Sequence, residues 1–578
     1  MSFDAAARRA RSVADAVGEA LATTGVTDAF GVLGSGNLVV TNALCSGGAR
    51  FHHARHEGGA ICMADGYARA AGRVGICTVH QGPGLTNTAT GLTEAAKSRS
   101  PLLVLAGESP ATAVHSNFRI DQPGFAESLG AGWERIGGPE TAAADALRAH
   151  ARAMSERRPM VLNLPIDVQP LPAVEPTAAA ARSAASGAGR WDPAPAEAER
   201  WDPAAPGAEP AAREVVAVAD VLMRAQRPLI LAGRGAVLAG ARDALERLGE
   251  LTGALLVTSA PANGLFAGLP FALGIAGGFS SPFAARTLPE ADVILIAGAS
   301  ANDWATRRGK LIGAHATVAQ IDVEREAFSR HRPVHPTILG DARAAARALA
   351  GELERRGHRA TGWRTEEMRA RIASARWRDE PYEDSGTDEL IDPRTLSITL
   401  DDLLPAERAV TVDSGHFMGW PSMFLGVPDG RAWVFANGFQ AVGLGLGAAI
   451  GAAIARPERP TVAAIGDGGA FMALAEIETA VRERLRLLVA IYDDAAYGAE
   501  VHHFLAMGHD VSRVRFPDAD LAAIARASGA RAQTVRSTSD LEVVADWLSD
   551  PEPGPLVLDA KVTPSVCADW LAEAFHGG

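Results

Sequence analysis

The stretch TVAAIGDGGAFMALAEIETAVRERLRLLVAIYDDAAYG, residues 461–498, decides the fold. An apolar run ends in Gly466-Asp467-Gly468-Gly469, a segment of helical periodicity follows, and a second apolar run ends in Asp493-Asp494. That order is strand, turn, helix, strand, the unit from which parallel sheets are built. In open α/β sheets, ligands collect at the carboxyl ends of strands, where loops and helix N-termini meet. Asp467 and Asp494 are therefore expected at one edge. Gly466, Gly468 and Gly469 let the backbone approach a phosphate, and two carboxylates are hard oxygen ligands of the kind Mg²⁺ takes beside substrate phosphates. Phe471, Leu474, Ile477 and Val481 keep a helical spacing, which predicts a helix packed on the sheet. The adjacency of Asp493 and Asp494 poses a problem, because like charges repel and a buried carboxylate is costly without a partner. A bound metal would neutralise one of them.

The same alternation extends over the rest of the chain of 578 residues, which is too long for one domain. Residues 10–172 carry strands such as RVGICTVH and PLLVLAGE and the helical TNTATGLTEAAKSR. Residues 213–350 carry RPLILAGRG, ALLVTS, DVILIAGA and TVAQIDVE, and residues 387–578 add AVTVDSG and GPLVLDAKV to the opening stretch. Three α/β domains, each a doubly wound parallel sheet, are predicted. Residues 173–212 are an Ala/Pro/Gly linker in which RWDPA occurs at Arg190 and again at Arg200, and residues 351–386 form a charged helical connector.

Composition narrows the class. Acidic residues outnumber basic ones 68 to 55, for a net charge of -13, and no Lys/Arg block is present, which argues against a nucleic-acid partner. Cys45, Cys62, Cys77 and Cys567 lack metal-ligand spacing and are expected as reduced thiols. The N-terminal MSFDAAARRARSVADAVGEAL reads as an amphipathic helix without an apolar secretion core. FQAVGLGLGAAIGAAIA, from Phe439, falls short of a membrane span and predicts a tightly packed internal helix. A cytoplasmic protein without a membrane partner is expected.

With these motifs in place, the chain resembles the thiamine-diphosphate (ThDP) dependent family of acetolactate synthase, pyruvate oxidase, pyruvate decarboxylase and benzaldehyde lyase. It looks most like the acetolactate-synthase-like members. The resemblance implies pyrimidine-binding, middle and diphosphate-binding domains in that order, with ThDP and Mg²⁺ as cofactors. It makes Asp467 and Asp494 metal ligands, with Ala496 supplying a backbone carbonyl, although Asp494 stands where the family usually has Asn. The extra charge must then be met by the metal or by a proton. FHHARHEGGAICMADGYARAAGRVGICTVHQGPGLTNTATGLTEA resembles the pyrimidine-binding segment, with Glu57 as the catalytic glutamate that donates to the pyrimidine ring. NGFQAVGLGLGAAIGAA places Val442 at the apolar wedge between the cofactor rings, and VDSGHFMGW places Gly415 and His416 at the diphosphate.

The expected substrate pocket adds His80 and Gln81, just before GPG, and Tyr497 and Glu500 beyond the metal turn. Glu500 is the candidate for protonating or orienting the intermediate. Ser35, Asn117 and Phe118 stand where decarboxylases of the family carry an Asp and a His pair, which disfavours simple aldehyde release. RIDQ resembles the carboligases instead. The activity implied is decarboxylation of a 2-oxo acid such as pyruvate and transfer of the enamine to a carbonyl acceptor. A 2-hydroxyacyl-CoA lyase or oxalyl-CoA decarboxylase is the alternative, although those typically carry G-D-S where Gly466-Asp467-Gly468 stands. A ThDP-binding regulator without turnover is a third reading, against which Glu57 argues. LAGRGA and Asp322 are considered for FAD and read chiefly as structural. His52, His53, His502 and His503 are read as packing or surface residues before substrate contacts. The family geometry further implies a homodimer or homotetramer with active sites at the subunit interface.

Overall fold

The computed structural model describes residues 10–174, 210–552 and 554–571. Both RWDPA repeats, with Trp191 and Trp201, lie outside them. Three six-stranded sheets are present, and every strand pair in them is parallel.

The first sheet contains β1 (Asp28–Gly31), β2 (Arg50–His53), β3 (Gly75–Val79), β4 (Leu102–Glu108), β5 (Gly132–Arg135) and β6 (Met160–Pro165), in the order β2-β1-β3-β4-β6-β5. The second contains β7 (Pro228–Ala232), β8 (Leu255–Thr258), β9 (Ala272–Ile275), β10 (Val293–Ala297), β11 (Thr317–Asp322) and β12 (Thr337–Leu339), ordered β12-β11-β10-β7-β8-β9. The third contains β13 (Ala409–Val412), β14 (Trp433–Phe435), β15 (Thr461–Gly466), β16 (Leu487–Asp493), β17 (Arg531–Val535) and β18 (Leu556–Lys561), ordered β14-β13-β15-β16-β18-β17.

Apolar runs rather than alternating patterns mark these strands because both faces of each sheet are covered. In the second sheet Ile230, Leu256, Leu295 and Ala319 enter one core, while their neighbours Leu229, Leu255, Ile294 and Val318 enter the other. The strands overlooked in the sequence, among them β1, β2, β12 and β14, are only three or four residues long and give too short a pattern to read.

The three sheets match the three α/β domains expected from the sequence, and by contacts they group into two compact units. One comprises residues 1–200, 436–456 and 473–485, and the other comprises residues 201–435, 457–472 and 486–578. The second and third sheets thus belong to one unit, and two segments of the last third of the chain belong with the first sheet.

Within the first unit, the helix Glu57–Ala71 packs on the helix Gly445–Ala455 through small residues. A Cβ at Gly66 would overlap the carbonyl of Ala448, and one at Gly451 would overlap the carbonyl of Met63. Backbone meets backbone there, as the Gly/Ala-rich pattern predicts, and ten of the eleven residues of Gly445–Ala455 are buried. No helix among the described residues is long and apolar enough to cross a membrane.

The helix expected after Gly469 differs from its prediction. It breaks at Leu474 into Asp467–Ala473 and Ala475–Arg482. Phe471 is 47% exposed, Leu474 and Val481 are half-buried, and Ile477 is buried beside Glu476, Thr479 and Ala480. Of the four expected apolar positions only Ile477 is fully buried, and the neighbouring Glu476 is buried with it.

Gly451→Ala is expected to lose about 1–3 kcal/mol of stability, the usual cost of overpacking a close-packed site. Urea unfolding midpoints compared at unchanged slope provide the measurement.

Candidate active site

In the second unit, β15 and β16 are neighbours in register, with Gly466 opposite Tyr492. Asp467, the first residue after β15, and Asp494, the first after β16, therefore reach the same carboxyl edge. Burial pushes the Asp467 carboxyl up to about 7, and Asp493 and Asp494 add to the rise. Burial likewise brings Asp494 to about 7, opposed by the hydrogen bond from the Ala496 backbone N–H, with a smaller rise from Asp493. Neither carboxyl has an ion-pair partner among the described residues.

Asp493 faces the other way. Its Oδ2 lies 2.6 Å from Lys561 Nζ, and its Oδ1 accepts the Ala495 N–H at 3.0 Å. Lys561 also donates to Asp518 Oδ1 and to the Ala519 carbonyl, each at 2.7 Å, and lies 3.2 Å from Asp559. Burial alone would lower the Lys561 pKa, but these partners raise it, so the ammonium stays charged. The two adjacent carboxylates thus have separate tasks: one is spent on the ion pair, and the other is left at the edge.

The turn that separates them is tightly specified. Ala495 has φ +51°, a left-handed conformation unusual for alanine, and its carbonyl accepts the Phe516 N–H at 2.8 Å. No hydrogen bond to the Ala496 carbonyl is present among the described residues, so this oxygen is open. Gly498 begins the helix Gly498–Ala506, and a Cβ there would overlap Asp494 Oδ2, so glycine is what lets that carboxylate sit over the helix start. The Tyr497 ring covers Gly468 and packs edge-on against Phe516 at 4.9 Å. Two carboxylates and an open carbonyl form an all-oxygen set that fits Mg²⁺.

Gly415 has φ +146°, and His416 follows it at the end of β13. His416 Nε2 accepts the Ala568 N–H at 3.1 Å, which assigns the proton to Nδ1. Burial, with His502 beside it, lowers the His416 pKa to about 3, so the ring is neutral. His416, His502 and Cys567 hold potential ligand atoms within 4.8 Å of one another. The commitment of His416 Nε2 to Ala568 suits a hydrogen-bond donor better than a metal ligand.

In the first unit, the loops after β1, β2, β3 and β4 carry Ser35, Glu57, His80 with Gln81, and Phe118. Glu57 opens the helix Glu57–Ala71, capped by His56, whose Nδ1 accepts the Gly58 N–H at 2.9 Å. Asn87 Nδ2 donates to Glu57 Oε2 at 2.9 Å. His80 Nδ1 accepts the Gly36 N–H at 3.2 Å, and its ring meets Phe118 edge-on at 5.2 Å. Burial lowers the His80 pKa, with Glu57 opposing. Gln81 is buried, and its Oε1 has no hydrogen-bond partner. Val442 is 38% exposed, which rules out an ordinary core role. Its loop is held by Glu94, which accepts the N–H groups of Gly438 at 3.1 Å and Phe439 at 2.6 Å.

Several other candidates have structural tasks. Asp121 caps the helix Gln122–Ser128, and Gln122 is buried and donates to Asn163 at 2.6 Å. Gly233 and Gly235 pack on Gly298, and Asp322 accepts the Glu324 N–H. His52 bridges Asp28 and Glu483, each at 2.8 Å, while His53 packs edge-on against Phe51. His503 packs on Phe504, and Glu500 is exposed in the first turn of its helix. Lys561, Asn87, Gly498 and Glu476 went unread in the sequence, since each acts through a partner distant along the chain or through the absence of a side chain.

The chain belongs to the thiamine pyrophosphate enzymes. Residues 11–128 match their N-terminal TPP binding domain, 215–349 their central domain and 413–560 their C-terminal TPP binding domain. Among individual proteins, it is 29% identical to the "Probable 2-ketoarginine decarboxylase" of Pseudomonas aeruginosa, covering 90% of this chain and 89% of the relative. It is 27% identical to the acetolactate synthase isozyme 2 large subunit of Escherichia coli, covering 94% of each. Identity to the "Probable acetolactate synthase large subunit" of Methanocaldococcus jannaschii is 26%, over 96% of this chain and 92% of that one.

Lys561→Met is expected to cost about 3–5 kcal/mol, because a buried carboxylate loses its partner. Adding Asp493→Asn should recover much of that loss, as a double-mutant cycle in denaturant will show. The His52 bridge predicts a pH signature. Burial alone would lower the His52 pKa, but Asp28 and Glu483 raise it above the usual 6.5. Its contribution is complete below 6.5 and is lost as pH rises through the raised value, so the melting temperature of wild type should fall across that interval. His52→Gln should remove this component.

Proposed function

We propose that the protein is a ThDP- and Mg²⁺-dependent enzyme that decarboxylates a 2-oxo acid and transfers the resulting acyl unit to a carbonyl acceptor, in the manner of acetolactate synthases. The observation that carries this reading is the buried Asp467 and half-buried Asp494 carboxylates, without an ion-pair partner among the described residues, beside the open Ala496 carbonyl. Family membership and relatives named as a 2-oxo acid decarboxylase and as acetolactate synthases support it. Removal of CO₂ from a 2-oxo acid is the step these reactions have in common.

Bound ThDP would supply a carbon nucleophile and an electron sink for loss of CO₂. Asp467, Asp494 and the Ala496 carbonyl would hold Mg²⁺, whose charge would offset the repulsion between the two carboxylates. Gly466, Gly468 and Gly469 leave the turn bare for the diphosphate, and His416 donates Nδ1–H to it. Glu57 would donate toward the aminopyrimidine, with Asn87 fixing Oε2. His80, Gln81, Tyr497 and Glu500 would shape the substrate side, and Val442 would offer the cofactor an apolar contact. A cytoplasmic homodimer or homotetramer, with each active site completed by two chains, goes with this reading.

Glu57→Gln is expected to retain ThDP and to lose about 10²- to 10⁴-fold in turnover, the usual worth of acid/base catalysis. Acid-quench NMR of the loaded enzyme mixed with pyruvate, other 2-oxo acids and 2-hydroxyacyl-CoA esters identifies the donor. A covalent adduct is expected with a 2-oxo acid. Adducts with the CoA esters alone would replace this proposal by the lyase reading.

A further inference from the structure

Glu57 begins the helix Glu57–Ala71, so its position depends on what fixes the entry into that helix. The entry is held by a carboxylate from far along the chain. Glu476, in the helix Ala475–Arg482 of the same compact unit, is 2% exposed. Its Oε1 accepts the His56 N–H at 3.1 Å and the Arg55 N–H at 3.2 Å, and its Oε2 lies 3.3 Å from the Arg55 nitrogen. Thr479 Oγ1 donates to Oε2 at 2.7 Å, so the carboxylate is itself held in place. Arg55 and Glu478 form a second tie between the same segments at 2.6 Å.

The contact also explains a sequence feature. In His56-Glu57-Gly58-Gly59, a Cβ at Gly59 would overlap Glu476 Oε1 and crowd its carboxyl carbon. Gly59 is the space that lets the carboxylate reach the two amides. The Arg55 and His56 N–H groups precede the first helical turn and have no helical carbonyl to bond, and hydrogen bonds from such groups to a charged acceptor are among the stronger ones.

We infer that Glu476 is a positioning residue for Glu57: it receives the Arg55 and His56 amides and so sets where the Glu57 carboxyl stands at the start of its helix. This rests on the proposed role of Glu57 in ThDP chemistry. Glu476 touches neither cofactor nor substrate in this inference, and its effect passes through the backbone of residues 55–57. Glu476→Gln removes the charge and puts an amide N–H₂ where one acceptor oxygen stood. Gly59→Ala disturbs the same contact from the opposite side while leaving Glu476 charged.

The experiment follows exchange of the thiazolium C2 proton into D₂O in the full chain loaded with ThDP and Mg²⁺. ThDP affinity is measured in parallel, and backbone amide exchange over residues 55–58 is measured in the cofactor-free chain. Both variants are expected to bind ThDP with wild-type affinity, to exchange the 55–58 amides faster, and to slow C2 exchange about 10²-fold, the cost of a displacement near 1 Å at a reacting group. C2 exchange at the wild-type rate in both variants overturns the inference. So does a loss of ThDP affinity that matches the loss of exchange, since that marks a general structural role. A wild-type chain that does not accelerate C2 exchange over free ThDP overturns the proposed function itself, which separates that failure from failure of the Glu476 contact alone.

Discussion

The ion pair between Lys561 and Asp493 is the constraint on which the edge of the third sheet depends. Three aspartates crowd the ends of β15 and β16, and all are largely withdrawn from water. In a medium of low polarizability their mutual repulsion would force protons onto them or push the strands apart. Lys561, on β18 next to β16, removes one of the three from that competition. It also anchors the turn from beneath, because the carboxylate it holds is the one that accepts the Ala495 amide. The left-handed Ala495 and the direction of Asp494 are consequences of that anchorage. What remains at the edge is a pair of carboxylates, those of Asp467 and Asp494, without an ion-pair partner among the described residues.

Buried carboxylates do comparable work in the first unit, with backbone amides as their partners. Glu476 holds Arg55 and His56, and Glu94 holds Gly438 and Phe439 while paired to Arg69. In both cases a charged acceptor fixes a loop that regular secondary structure does not, and the loop bears a residue proposed to meet the cofactor: Glu57 in the first case, Val442 in the second. Carboxylates suit the task because each offers two oxygens and can bind adjacent amides at once. Close backbone packing adds rigidity, since Gly66 and Gly451 leave the Glu57 helix and its partner no room to slide.

The layered architecture was legible because parallel strands buried on both faces write themselves as long apolar runs, and β3, β4, β10, β15, β16 and β18 all appear in that form. The glycine turn and Asp467 were legible for the same reason, as the abrupt end of such a run. What the sequence withheld depends on pairing across the fold. Nothing local distinguishes Asp493 from Asp494; only Lys561, brought alongside by β18, tells them apart. Phe471 keeps helical spacing with Ile477, yet the break at Leu474 leaves Phe471 exposed. Glu476 reads as a solvated charge on an amphipathic helix, and its burial follows from amides contributed by residues 55 and 56. Division of the chain into two units was equally illegible, because residues 436–456 and 473–485 join the first sheet through helix packing that has no signature in one dimension.

The two histidines at these edges show how the fold chooses chemistry through hydrogen bonds. His80 takes the Gly36 amide on Nδ1, so its proton resides on Nε2. His416 takes the Ala568 amide on Nε2, so its proton resides on Nδ1. Burial lowers the pKa of each, and a nitrogen already occupied by a backbone N–H cannot accept a proton without breaking that bond. Each ring is thereby a fixed, neutral donor rather than a group that cycles between charge states. Fixed donors stabilise negative charge without adding a cation. The proton transfer proposed for Glu57 would then rest on a carboxyl held at one oxygen by Asn87.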